Sequence, residues 1–183
     1  MNIIRTKIPG IFILFPTVFD EADGFTMESW SQRNLVMAGI QTNFVQEHFI
    51  TCDKLGKIYG ISFQKGEYAQ ARLLHVVRGK IKVIAVDFRK NSPTYKKWMS
   101  FTLSDYNKQQ VLLPRGVGYG FVTLEDHVGI IEKVDQYDAP TELQKVRWND
   151  PDMGIDWGVE EPVIAEEFQE SPLFKDIEDD IQF

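Results

Sequence analysis

The sequence predicts an all-β sandwich or barrel. Short apolar runs recur at regular spacing, turn residues separate them, and only one stretch carries a helical pattern. Ile11-Phe12-Ile13-Leu14-Phe15 is a compact apolar run ended by Pro16, which has no N–H to extend a ladder. Glu28 to Met37 is the helix candidate, with Trp30, Val36 and Met37 as its apolar residues; no capping box marks its start. Phe44-Val45-Gln46 and Ile58 to Gln64 read as further strands. The strongest signal is Arg72 to Arg78, then Gly79, then Lys80 to Phe88, two β-branched runs expected to meet in a tight hairpin at Arg78-Gly79-Lys80. Trp98 to Leu103, Val111 to Leu113, Tyr119 to Leu124 and Val128 to Val134 continue the series. Turn clusters at Arg89 to Pro93, Ser104 to Asn107 and Pro114-Arg115-Gly116 divide them. From Trp148 the chain is rich in Pro, Asp and Glu; it is expected to wrap the domain irregularly, with Asp176 to Asp180 a solvated acidic end.

Composition narrows the function classes. The 183 residues suffice for one domain with a sizeable core, residues 1–183, and 43% hydrophobic content argues against disorder. The formal charge of -7 disfavours nucleic acid, which needs clustered Lys and Arg to displace counterions. It also means that a phosphate-bearing ligand needs local positive charge against the global field. A single cysteine, Cys52, makes no internal disulfide, which fits a reducing compartment; Asp53 beside it works against a reactive thiolate. No apolar stretch approaches a membrane span and no signal peptide is apparent, so a cytoplasmic protein with no membrane partner is expected.

Several blocks carry a resemblance over nearly the whole chain. Phe44-Val45-Gln46-Glu47-His48 is similar to Phe-Val-Gln-Asp-Asn, and Ile58-Tyr59-Gly60-Ile61-Ser62-Phe63-Gln64 to Leu-Arg-Gly-Leu-His-Tyr-Gln. Gln70-Ala71-Arg72-Leu73-Leu74 is similar to Gln-Ala-Lys-Leu-Val, and Pro114 to Phe121 to Pro-Glu-Gly-Phe-Ala-His-Gly-Phe. Trp148-Asn149-Asp150-Pro151 and Gly154-Ile155-Asp156-Trp157 close the match. In order and spacing these blocks resemble the dTDP-4-dehydrorhamnose 3,5-epimerase family. The resemblance implies a cupin-like double-stranded β-helix, or jelly roll, with short peripheral helices. It also implies a homodimer by strand exchange and a nucleotide-diphosphate sugar as ligand, with no metal and no organic cofactor.

The family reaction needs a histidine base, an aspartate that orients it and a tyrosine on the opposite face, because protons beside a ketone must leave one face and return to the other. At those positions this chain has Ser62, Phe168 and Glu132. A second family histidine is Tyr119 here, and two phosphate-binding arginines are Asp23 and Tyr59. A carboxylate in place of a guanidinium repels a diphosphate. The resemblance leaves Phe25, Glu28, Gln46, His48, Arg72, Arg115 and Tyr137 as expected binding residues.

Each candidate has a plainer reading. Ser62 either positions a ketone or is a small replacement left after the base was lost, and the second reading is preferred. Glu132 shares a strand face with Ile130 and Val134; if that face lines a cavity, burial is expected to raise its pKa and make it a base. Its alternative is a carboxylate paired with a neighbouring cation. Tyr119 and Tyr59 are candidate acids or ordinary packing aromatics. His48 is expected to bind rather than catalyse. With His75 and His127 it does not form the paired-histidine pattern of a metal cupin. Two functions follow: a nucleotide-sugar epimerase or isomerase with a rewired acid–base set, led by Glu132 with Tyr119 or Tyr59 opposite; or a catalytically inactive sugar-nucleotide binder or partner subunit. In both, ordinary dTDP-rhamnose epimerase activity is expected to be absent or very weak.

Overall fold

The computed structural model describes residues 1–183. Its strands are β1 (Asn2–Arg5), β2 (Phe12–Phe15), β3 (Val18–Glu21), β4 (Gly24–Met27), β5 (Gln46–Cys52), β6 (Lys57–Gln64), β7 (Arg72–Arg78) and β8 (Lys80–Asp87). After them come β9 (Trp98–Ser104), β10 (Gln110–Leu113), β11 (Val117–Thr123), β12 (Val128–Val134), β13 (Leu143–Lys145) and β14 (Val163–Ile164). Two short helices, α1 (Gln32–Met37) and α2 (Phe174–Ile177), lie at the periphery.

Two sheets face each other. The first runs β1-β2-β10-β7-β12-β5 and the second β13-β6-β11-β8-β9, with β14 added beside β6 in parallel. This is the expected cupin-like jelly roll. The main core fills the space between the sheets. Leu74, Val76, Val111 and Ile130 from the first meet Ile81, Val83, Ala85 and Phe121 from the second. A second core lies behind the second sheet, where the C-terminal tail contributes Trp157, Phe174 and Ile181.

The structure corrects four readings of the sequence. Arg78-Gly79-Lys80 is not a hairpin: β7 pairs with β10 and β12, whereas β8 pairs with β9 and β11. Gly79 is instead a corner between sheets, with φ +74°. The helix begins at Gln32 rather than Glu28, because Ser31 Oγ accepts the Asn34 N–H and caps it there. The strand expected at Phe44 to Gln46 runs from Gln46 to Cys52, continuing through the polar Glu47 and His48. The acidic end is not free: Glu178 accepts from the Tyr95 hydroxyl and pairs with Lys96, while Phe174 and Ile181 are buried on either side.

Candidate active site

A β-bulge shapes the cavity wall. Across the β6–β11 ladder Phe121 opposes Tyr59 and Tyr119 opposes Ser62, so β6 spends three steps where β11 spends two. The extra residue turns both Tyr59 and Ser62 toward the space between the sheets. The two backbones touch where this happens. A Cβ on Gly60 would lie 2.4 Å from Gly120 Cα, and one on Gly120 would lie 2.6 Å from the Tyr59 carbonyl oxygen. Gly60 also has φ +112°, which L side chains rarely adopt.

Tyr59, Ser62, Tyr119, Phe121, Ile50 and Phe168 line a cavity of about 220 Å³ with Glu167 at its edge. It is smaller than the roughly 300–1,000 Å³ of sites that enclose a drug-sized ligand, so it suits one ring rather than a whole nucleotide. Tyr59 stacks on Phe121 with ring centroids 4.9 Å apart. The tail brings in Phe168, since β14 adds to β6 and the next turn, Glu166–Phe168, drops against the opening. The position expected to face Ser62 in place of an aspartate is therefore there, and it is apolar.

Behind Tyr119 lies a charged network. Glu132 is 4% exposed and sits between the sheets, on the face of β12 that carries Ile130. Tyr119 Oη donates to Glu132 Oε1 at 2.7 Å, and Arg72 Nη1 donates to the same oxygen at 2.9 Å. His48 Nδ1 lies 3.3 Å from Glu132 Oε2, and His48 Nε2 lies 2.8 Å from Asp138 Oδ2. Gln70 joins the ends, accepting from Arg72 Nη2 at 2.7 Å and donating to Asp138 Oδ1 at 3.1 Å. Gln46 donates to Asp138 Oδ2 and accepts the Asp138 N–H.

The balance of forces here reverses the direction expected for the Glu132 pKa. Burial alone would raise its pKa, as expected, but the Arg72 guanidinium and the hydrogen bonds from His48 and Tyr119 outweigh it. The carboxyl is held at about 2. Such a carboxylate stays ionised and takes a proton poorly, so Glu132 anchors its neighbours. The Tyr119 hydroxyl is pushed well above its ordinary value by burial and by the Glu132 charge. Burial likewise raises Tyr59. Neither phenol is an easy proton donor near neutrality. His48 moves the other way: its bond to Glu132, with Asp138 adding to it, outweighs partial burial and lifts the imidazole to about 9.

Other expected site residues are not brought here. Phe25 lies on β4, whose hairpin with β3 forms a separate two-stranded sheet, and the Lys108 Nζ sits 4.0 Å from its ring centroid. Glu28 accepts from Asn34 Nδ2 beside α1. Arg115 pairs with Asp135 at 2.9 Å on the exterior, and Tyr137 is 63% exposed. Asp138 and Gln70 complete the network, yet the sequence did not single them out for it. His48 lies 90 residues from Asp138, and Gln70 lies 68 from it although its other partner, Arg72, is only two residues away, so no local pattern marks the Asp138 contacts.

A jelly roll with an acid–base cluster between its sheets defines a cupin-like protein whose chemistry belongs inside the roll. A family model described as dTDP-4-dehydrorhamnose 3,5-epimerase matches residues 5–176. The dTDP-4-dehydrorhamnose 3,5-epimerase of Shigella flexneri is 35% identical over 91% of this chain and 92% of its own length, and that of Escherichia coli 38% over 86% and 85%. The crystal structure of the Bacillus anthracis enzyme with TDP and pyrophosphate bound is 35% identical. It covers 94% of this chain and 98% of its own, with a TM-score of 0.91. The Legionella pneumophila enzyme in complex with dTDP-4-keto-L-rhamnose superposes over 100% of this chain and 98% of its own, at 29% identity and a TM-score of 0.93. The chain belongs to the dTDP-4-dehydrorhamnose 3,5-epimerase family, a family of isomerases.

Proposed function

We propose that this chain is a cytoplasmic epimerase or isomerase of nucleotide-linked 4-keto-6-deoxy sugars, in surface-polysaccharide synthesis, with a rebuilt acid–base site. Ordinary dTDP-4-dehydrorhamnose 3,5-epimerase activity is then absent or very weak. One observation supports it above all: Arg72, Glu132 and Tyr119 form an ionised, hydrogen-bonded cluster between the sheets, with His48 at its open end. Apolar side chains of similar volume would stabilise this position as well or better, so a charged cluster is costly as mere packing. The relatives' names supply the substrate class, and the ring-sized cavity beside Tyr119 fits a sugar.

A second reading, an inactive sugar-nucleotide binder or partner subunit, is favoured by the saturation of the same cluster. Two cations, Arg72 and protonated His48, face two carboxylates, Glu132 and Asp138, which leaves no surplus charge there for a diphosphate. Incubation in deuterated water with dTDP- and CDP-linked 4-keto-6-deoxyglucose separates the two. The expected result is deuterium entry beside the ketone, seen by NMR, above the protein-free rate, with little or no conversion to the 3,5-inverted product. Binding without exchange for either nucleotide supports the inactive reading instead.

The homodimer belongs to the same proposal. β1 and β2 pair within their own sheet, so strand exchange falls to the β3–β4 arm, which exposes Phe19 at 61% and Phe25 at 47%. Edge strand β5 exposes Phe49 at 67%. An arm laid along a partner would bring Phe25 and Glu28, stranded in one chain, toward the other copy's site. Sedimentation equilibrium is expected to give a dimer that Phe49→Lys with Phe19→Lys converts to folded monomer. A wild-type monomer at micromolar concentration would remove this part of the proposal.

A further inference from the structure

We propose that His48 is the proton-transferring group of this site: an imidazole carried on β5, taking over work for which β6 offers only Ser62. The inference rests on the epimerase or isomerase reading and adds the residue that does the chemistry.

The geometry carries it. His48 follows Gln46 and precedes Ile50 on the inward face of β5, and Ile50 lines the cavity. Its side chain is 29% exposed against 5% for Glu132, so of the two it is the one that a ligand can reach. Its ring nitrogens have different surroundings. Nδ1 faces Glu132, which is fixed by Arg72 and Tyr119 and cannot move without stranding a buried guanidinium. Nε2 faces Asp138, whose side chain is 46% exposed on the segment after β12. A buried carboxylate on one nitrogen orients the ring and fixes its tautomer; the other nitrogen meets a half-exposed carboxylate, held by Gln46 and Gln70, that a substrate would have to displace. The same arrangement explains why Glu132 is kept ionised although it is too weak a base to act itself.

The step balances within the site. With Asp138 displaced, neutral Nε2 removes the hydrogen from a carbon beside the ketone. The C–H bond breaks, an N–H bond forms, and the electron pair moves into the carbonyl to give an enolate. Return of the proton by the imidazolium to the same face, after exchange of its N–H with solvent, leaves deuterium without inversion; a solvent proton delivered to the opposite face inverts the carbon, and the imidazolium then gives its own proton up to solvent. The charged groups that face His48 are Glu132 from β12 and Asp138 from the loop, with Arg72 of β7 and Tyr119 of β11 acting through Glu132. While both carboxylates are in place the imidazole is protonated up to about pH 9, so only its neutral fraction removes hydrogen. The rate at subsaturating substrate, which reports the free protein with Asp138 in place, is then expected to climb about tenfold per pH unit through neutrality and to level off toward 9.

The test follows deuterium entry between pH 6 and 10 for the wild type, His48→Gln and Asp138→Asn, each corrected for the protein-free rate. His48→Gln keeps an amide facing Glu132 and is expected to lose at least about a hundredfold in rate, with nucleotide-sugar binding retained. Asp138→Asn removes one of the two carboxylates that raise His48, so the levelling point moves to lower pH. The His48 C2–H resonance, titrated in parallel, moves with it; a merely structural role would not shift the profile. Full exchange in His48→Gln, or a profile that Asp138→Asn leaves in place, overturns the assignment while the functional reading stands. Absence of exchange in the wild type with every nucleotide overturns the functional reading, and the assignment with it.

Discussion

Glu132→Leu is expected to remove about 3–5 kcal/mol of folding stability, among the larger losses a single substitution causes. The carboxylate is the only anion bonded to Arg72, which is 8% exposed and would keep just the Gln70 side-chain oxygen. An uncompensated guanidinium between two sheets must draw in water, distort the wall or unfold the roll. Adding Arg72→Met is expected to restore more than half of the loss, since removing both charges leaves a volume that apolar side chains can fill. Chemical denaturation of the two single variants and the double variant reads this as a coupling of about 2 kcal/mol or more. Additive losses would mean that the pair is solvated and that Glu132 is not the anchor described above.

The second large effect is expected from Gly120→Ala, at about 3 kcal/mol. The new methyl would meet the Tyr59 carbonyl at 2.6 Å and the Trp157 ring at 2.9 Å, with backbone on one side and packed tail on the other. Neither neighbour is a flexible chain end that could swing aside. Relief requires β6 and β11 to part, which also moves Tyr59 and Ser62 away from Tyr119. Near-UV circular dichroism should change together with the denaturation midpoint, whereas Ser62→Ala should leave both within about 0.5 kcal/mol of wild type. A Gly120→Ala protein as stable as the parent would show that the bulge is loose.

Much of the architecture was legible because it rests on local pattern. β7 and β12 were read to the residue, since each is a short, largely apolar and β-branched run bounded by turn residues. Pairing was harder. The run through Gly79 carries the same local signal whether the chain doubles back or crosses to the facing sheet, and only the tertiary partners decide. The site divided in the same way. The strand face that Glu132 shares with Ile130 and Val134 followed from alternation, but whether that face points inward did not, nor did its proton affinity, which depends on Arg72, 60 residues away in sequence. The charge on His48 was not legible for the same reason: Asp138, which with Glu132 sets it, comes from a segment whose sequence says nothing of where it lands.

The tail that carries Phe168 has a consequence for biosynthesis. Every strand of the two main sheets precedes Val163 in the chain, yet the cavity has no far wall until β14 joins β6 and Glu166–Phe168 follows it. On the ribosome the roll therefore assembles with its interior open. The pocket is completed by residues that emerge after both main sheets, and Glu178 then latches them to Tyr95 and Lys96. A chain cut before Val163 would lack Glu167 and Phe168, so the enclosure of the cavity is made later in synthesis than the sheets that form its other walls.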